Sequence, residues 1–167
     1  IGFGQGLEKT IVPTALRLGD EVFFQIIGDG SSKDKIVKAI KRHSILNIEI
    51  ISPVNRIKLL DYYNAADVML LQLNNIKAFN RVLPSKVFDY GSFDKPIIAG
   101  VTGVAKNFLK SNVNNVFFYD PGDYKSMINV IKEVVDLDHI YSNHTFVKRF
   151  NRSQIMDDMV RSFLSIS

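Results

Sequence analysis

The 167-residue sequence predicts an α/β domain, a Rossmann-like parallel sheet of about six strands with helices on both faces. Three observations carry that prediction. Short β-rich runs alternate with helical stretches along the chain, and such alternation implies parallel strands joined by right-handed crossovers. The runs are nearly continuous in apolar residues, as at Phe23-Phe24-Gln25-Ile26-Ile27 and Val68-Met69-Leu70-Leu71, the pattern of strands buried on both faces. With 46% hydrophobic and 23% charged residues the chain can fill one core of ordinary size, which excludes disordered and collagen-like classes.

Each element follows from local pattern. A first helix is expected over 7–18, opened by a glycine-rich stretch and kinked at Pro13. Strands are expected at 22–27, 48–51, 68–71, 96–99 and 116–119, spaced about 20 to 28 residues apart. Helices are expected at 33–42, 56–65, 85–93, 104–111 and 124–135. Asn55 and Asp123 precede two of these starts, where a side-chain oxygen can take an orphan backbone N–H. From Ser142 onward no strand follows, and Phe146, Phe150, Ile155, Met159, Phe163 and Ile166 recur at spacings of three to five. The expected organisation is therefore a domain over 1–141 and a terminal helix over 142–167. If that helix crosses to another domain, part of its apolar face, around Phe146 to Phe163, stays uncovered here.

Composition narrows the function classes. Cysteine is absent, which excludes disulfide scaffolds, thiol nucleophiles and Cys-based zinc sites. No apolar stretch approaches the roughly 20 residues needed to cross a bilayer. The chain begins at Ile1 with neither an initiator Met nor a signal-peptide pattern, and reads as a piece of something longer. The formal net charge of +4 equals that of one helix, where Lys33, Lys35, Lys38, Lys41 and Arg42 stand against Asp34. Ile36, Val37 and Ile40 mark the opposite face, so a solvated surface helix and a contact with an anionic surface are both open readings. No nucleic-acid signature accompanies the charge.

In an open parallel sheet, ligands lie at the carboxyl ends of the strands. Gly2-Phe3-Gly4-Gln5-Gly6-Leu7 opens the first helix and reads either as a tight turn or as a phosphate cradle of free N–H groups. It lacks the spacing and the downstream acid of a dinucleotide fingerprint. Gly28-Asp29-Gly30 follows the strand at 22–27, and Ser52-Pro53-Val54-Asn55-Arg56 follows the strand at 48–51. Each is a plain turn or cap, or a ligand loop.

The most specific segment is Leu83-Pro84-Ser85-Lys86-Val87-Phe88-Asp89-Tyr90-Gly91-Ser92-Phe93-Asp94-Lys95-Pro96-Ile97-Ile98-Ala99. It resembles the donor-binding signature of family 4 glycosyltransferases, retaining enzymes of the GT-B fold whose C-terminal domain binds a sugar nucleotide. The glycine-rich start, Ile26-Ile27-Gly28-Asp29-Gly30, Ala66-Asp67-Val68 and Gly100-Val101-Thr102-Gly103-Val104 agree in order and spacing. The resemblance spans about Gly2 to Val135 and is nearest to transferases of bacterial O-antigen and capsule assembly, including N-acetyl-L-fucosamine transferases.

The resemblance implies the C-terminal half of a GT-B enzyme that holds a nucleotide diphosphate sugar, expected to be a UDP-sugar. It gives Asp89 to the ribose, because a carboxylate can accept both hydroxyls at once. The family acid there is usually Glu, one methylene longer. Ser85 and Lys86 would meet the diphosphate. Gly4, Gln5, Gly6, Gly28, Asp29, Gly103 and Val104 would lie along the diphosphate and donor sugar, and Pro53, Val54 and Arg56 along the base. Two departures stand out: a family glutamate separated from the ribose acid by seven residues falls at Arg81, and a phosphate-binding Lys of the first loop falls at Gln5.

Further expectations are retention at the anomeric carbon, no metal or other cofactor, and catalytic groups in an acceptor half. A lipid-linked acceptor at the inner face of the cytoplasmic membrane and a cytoplasmic location also follow from the resemblance. A non-catalytic nucleotide-binding module and a sugar-nucleotide epimerase are the alternatives. Asp136-Leu137-Asp138 follows a helix and is not expected to bind metal, and His43, His139 and His144 form no ligand spacing.

Overall fold

The computed structural model describes residues 1–151 and residue 161. Its elements alternate: α1 (Ile11–Leu18), β1 (Phe24–Ile27), α2 (Lys33–His43), β2 (Ile48–Ile51), α3 (Arg56–Ala65) and β3 (Met69–Gln72). There follow α4 (Lys86–Gly91), β4 (Ile97–Gly100), α5 (Gly103–Asn112), β5 (Val116–Phe118), α6 (Tyr124–Val135) and α7 (His144–Arg149). Short 3₁₀ turns cover Leu7–Lys9, Gly19–Glu21 and Lys77–Arg81.

Among the described residues there are five strands, against an expectation of about six, and every pairing is parallel. β1 pairs with β2, Phe24 opposite Ile48, while β4 lies between β3 and β5 with Ile97 opposite Met69 and Val116. Among the described residues no ladder joins β1 to β3.

Side-chain alternation along each strand feeds two helical layers. On one face, Ile26 and Ile48 pack with Ile11, Ala15 and Ile36 of α1 and α2, and Ile98 packs with Met127 and Ile131 of α6. On the other, Met69, Leu71, Ile97 and Ala99 pack with Tyr63 of α3, Val87 of α4 and Leu109 of α5. Asn55 and Asp123 cap α3 and α6 as expected, accepting from the N–H groups of Lys58 and Lys125.

Two local expectations change. The helix expected over 7–18 is divided: a 3₁₀ turn follows Gly6, whose φ is +59°, and α1 begins only at Ile11. The break falls at Thr10, whose hydroxyl donates inward to Gln72 Oε1 at 2.5 Å. Pro13 consequently sits in the first turn of α1, where a missing N–H costs no helical bond, so it does not act as an interior kink. At the other end, Phe146 of α7 is buried rather than uncovered, and a Cβ on Gly91 would lie 2.6 Å from its ring. The expected helical positions Ile155, Met159, Phe163 and Ile166 lie outside the described residues. Among the described residues no helix is long and apolar enough to cross a membrane.

Candidate functional site

The loops that leave the carboxyl ends of the strands converge, and buried polar side chains hold them together. Gln72, the last residue of β3, is the central fastening. Its Nε2 donates to the carbonyls of Gln5 and Gly6 at 2.8 and 2.9 Å, while its Oε1 accepts from Thr10 and from Tyr119. Two residues on, the Asn74 N–H donates to the Gly4 carbonyl at 2.7 Å and its Oδ1 accepts from Lys9 Nζ at 3.0 Å. The glycine-rich loop is thus bound to β3 through its carbonyls. Gly6 must be glycine-like for two reasons, its left-handed φ and the side chain of Asn74 only 3.0 Å from where a Cβ would stand.

Gln5 carries no charge and is turned back on its own loop, accepting the Gly2 N–H at 3.1 Å. Lys9, by contrast, presents an exposed ammonium beside that loop. Sequence reasoning missed Lys9, Gln72 and Asn74. The available signal was the run Leu71-Gln72-Leu73-Asn74, where polar residues interrupt an apolar strand end.

Gly28-Asp29-Gly30 lies against the start of the same loop. Gly30 has φ +144°, and a Cβ there would stand 2.5 Å from the Ile1 carbonyl oxygen. Asp29 accepts the Gly30 N–H at 2.8 Å and faces Lys33 at 3.6 Å, and these two partners hold its carboxyl below the ordinary carboxylate range. Lys33 of the basic helix is therefore committed to this turn.

Lys86, Pro53, Val54, Gly28 and Ile1 line one continuous cleft. Lys86 and Ser85, at the start of α4, are exposed. One turn along α4, the half-buried carboxylate of Asp89 stands 3.4 Å from the Arg56 guanidinium. Its backbone carbonyl accepts from the Ser92 hydroxyl at 2.6 Å. The structure thus brings the expected base loop and the expected ribose acid into contact.

Gly103 and Val104 form the start of α5, on the far side of the 3₁₀ turn Lys77–Arg81. Gly103 has φ +57°, and a Cβ there would come within 2.1 Å of the Asn80 carbonyl oxygen. The Thr102 hydroxyl donates to Asn80 Oδ1 at 2.6 Å. The neighbouring Phe79 ring would be 3.3 Å from a Cβ on Gly4. Arg81, at the end of this turn, is exposed and cationic where the resemblance calls for an acid.

The family model described as Glycosyl transferases group 1 matches residues 9–151. The chain belongs to that family. A search of curated proteins found no match. Among solved structures, Anabaena HepE in complex with UDP and glucose superposes with a TM-score of 0.72 at 18% identity, over 96% of this chain and 45% of its own. The Anabaena HepE complex with UDP gives 0.73 at 16% identity, over 92% and 44%. AviGT4, a glycosyltransferase involved in avilamycin A biosynthesis, gives 0.66 at 12% identity, over 99% and 49%. At these identities the likeness is one of fold, that of a GT-B glycosyltransferase portion. The chain spans less than half the length of each of these structures.

The edge just described gathers cations, a carboxylate and glycine turns in one place. Exposed cations at Lys9 and Lys86 can meet phosphate oxygens as point charges. A carboxylate at Asp89 can accept hydroxyl donors. Glycine turns let the backbone approach a ligand closely.

Proposed function

We propose that this domain binds a UDP-sugar across the carboxyl edge of its sheet and forms the donor half of a retaining family 4 glycosyltransferase. Surface-polysaccharide assembly of the O-antigen or capsule type, which includes N-acetyl-L-fucosamine transfer, is the process that the sequence resemblance favours. The observation that carries the reading is the contact between Arg56, the first residue of α3, and Asp89 on α4. It joins the candidate base loop to the candidate ribose acid beside Lys86.

In this reading Asp89 accepts the two ribose hydroxyls, and Lys86 with Ser85 meets the diphosphate. Lys9 supplies the first-loop cation that Gln5 lacks. The N–H groups at Gly103 and Val104, at the positive end of α5, face the diphosphate or donor sugar. Pro53, Val54 and Arg56 border the base, and Gly4, Gly6, Gly28 and Asp29 shape the floor. Positive groups fixed around the departing diphosphate stabilise charge as it develops, which is the larger part of such catalysis. Support for the nucleotide comes from the family match and from the UDP held by the similar-fold HepE.

Calorimetric titration of UDP, GDP and ADP into the domain tests the reading. UDP is expected to bind most tightly, with loss of binding in Lys86→Ala. Equal and unsaturable heats for all three would overturn it.

A further inference from the structure

α2 ends in a cationic corner tipped by an exposed leucine, and we propose that this corner binds the surface of an anionic lipid bilayer. The proposal goes beyond nucleotide binding and does not depend on it. α2 runs from the Asp29 turn at the carboxyl edge of the sheet to the amino edge, about 16 Å away at roughly 1.5 Å per residue. None of residues 33–47 lines the cleft that holds Lys86 and Pro53. A surface docked at the far end of α2 therefore leaves that cleft open.

The helix concentrates the charge of the chain on one face. Ile36 is fully buried and Val37, Ala39 and Ile40 are half-buried, which turns the opposite face to solvent. Lys35, Lys38, Lys41 and Arg42 fall within an arc of about 120° on that face. All four are exposed, and among the described residues none has an ion pair. Lys33, by contrast, is held by Asp29. The acid on this helix, Asp34, lies in its first turn, away from the corner. Glu49 of β2 alternates onto the other face of the sheet, since Ile48 and Ile50 pack into the layer of α1 and α2.

Leu46 stands just past the end of α2 and is 88% exposed. Its neighbours fix that exposure. Ser44 ends the helix in the left-handed conformation, φ +50°, and the N–H of buried Ile45 returns to the Ile40 carbonyl at 3.0 Å. On the other side Asn47 is buried, its side-chain amide shared among the carbonyls of Ala15, Gly19 and Val22 at 3.1, 2.7 and 3.1 Å. A leucine between two anchored residues is held out in water, where it contributes nothing to the core. Phe23, 60% exposed, lies at the same edge, because the Phe24 N–H donates to the Asn47 carbonyl at 2.9 Å. Asp20 and Glu21 precede Phe23 in the 3₁₀ turn, which centres the contact on Leu46 and the end of α2.

A bilayer with anionic headgroups answers both features at once. The headgroups attract the stripe of cations, and the boundary of the acyl chains takes up the apolar tip. A polyanion such as a nucleic acid would meet the cations but leave Leu46 in water.

Tryptophan is absent from the sequence, so Leu46→Trp gives the chain a single indole at the tip. With phosphatidylcholine vesicles containing about 30% phosphatidylglycerol, its emission should shift to the blue and be quenched by lipids brominated high on the acyl chains. Phosphatidylcholine alone should produce neither change, and about 0.5 M salt should reverse both. In co-sedimentation with the anionic vesicles, Lys38→Glu combined with Arg42→Glu should lower partitioning by about 100-fold, and Leu46→Ser by about tenfold. All three side chains are exposed, so the urea midpoints of these variants should match wild type. An indole that is neither shifted nor quenched by the anionic vesicles overturns the proposal. So does vesicle binding that both variants leave unchanged, because the contact would then lie on another surface. Binding to duplex RNA that is tighter than to the vesicles and indifferent to Leu46→Ser also overturns it, since the stripe would then be a polyanion site.

Discussion

The guanidinium of Arg56 stands 3.4 Å from the carboxylate of Asp89, linking the start of α3 to α4 across the candidate site. The Arg56 side chain is 75% exposed and that of Asp89 31%, so water screens the pair and its net contribution to stability is small. A contact of this kind can be exchanged for ligand hydroxyls at little cost.

Asp89→Ala is accordingly expected to weaken UDP binding by about 10- to 100-fold, the loss of one or two charge-assisted hydrogen bonds. The urea midpoint should barely move, because truncation removes a solvated ion pair and no core volume. Calorimetry and denaturation on the same protein check both halves. Arg56→Ala should likewise leave stability within about 0.5 kcal/mol of wild type.

Gln72→Leu should act in the opposite way, through the fold first. It keeps the side-chain volume but strands the carbonyl of Gln5, leaves the Gly6 carbonyl with the Lys9 N–H alone, and removes the acceptor shared by the hydroxyls of Thr10 and Tyr119. A loss of about 2–4 kcal/mol is expected for a buried network deprived of its hub, measured by urea unfolding. Thr10→Val, which removes one member only, should cost less.

Gly103→Ala and Gly122→Ala separate backbone strain from collision. Both positions have positive φ, +57° and +85°, but nothing lies within 4 Å of a Cβ on Gly122, whereas the Asn80 carbonyl lies 2.1 Å from one on Gly103. Gly122→Ala should cost about 1–2 kcal/mol, the left-handed penalty alone. Gly103→Ala should cost distinctly more and lower UDP affinity, because the turn holding Asn80 must shift. Thermal melts with and without UDP measure the two effects.

Much of this architecture is legible in the sequence, for reasons that also mark the limits. The strand at 48–51 and the helices at 56–65 and 124–135 appear with the expected bounds, because apolar runs, Asn55 and Asp123 are local signals. The division at Thr10 is not local: it depends on a hydroxyl reaching Gln72, 62 residues away. The turn at Lys77–Arg81 escapes pattern reading too, since Phe79 and Asn80 are placed by contacts with Gly4 and Gly103 rather than by any periodicity. At the candidate site, Asp89 and Lys86 stand out by motif, while Lys9 and Asn74 acquire their meaning only when β3 and the first loop are brought together.

Alkaline pH should destabilise the domain through Tyr90. Burial first, then the neighbouring Tyr63 and the charge of Asp89, push its phenol well above the usual tyrosine range. In the unfolded chain the phenol ionises near pH 10, while in the folded chain it stays protonated, so the native state binds more protons. Stability from this group is thus fully present below about pH 10 and falls above it by up to about 1.4 kcal/mol per pH unit. Urea midpoints at pH 9, 10 and 11 should show a shallower decline for Tyr90→Phe than for wild type.

The 3₁₀ turn Lys77–Arg81 acts as a gauge block. The tip of the Phe79 ring abuts Gly4 and the backbone carbonyl of its immediate neighbour Asn80 abuts Gly103, so the separation between the glycine-rich loop and the start of α5 is set by one aromatic side chain and the peptide unit beside it. Neither loop can advance on a ligand without displacing the block or dragging the other loop with it. Closure around a diphosphate would therefore be concerted on the two sides, and enlarging either glycine would widen the whole jaw instead of one flank.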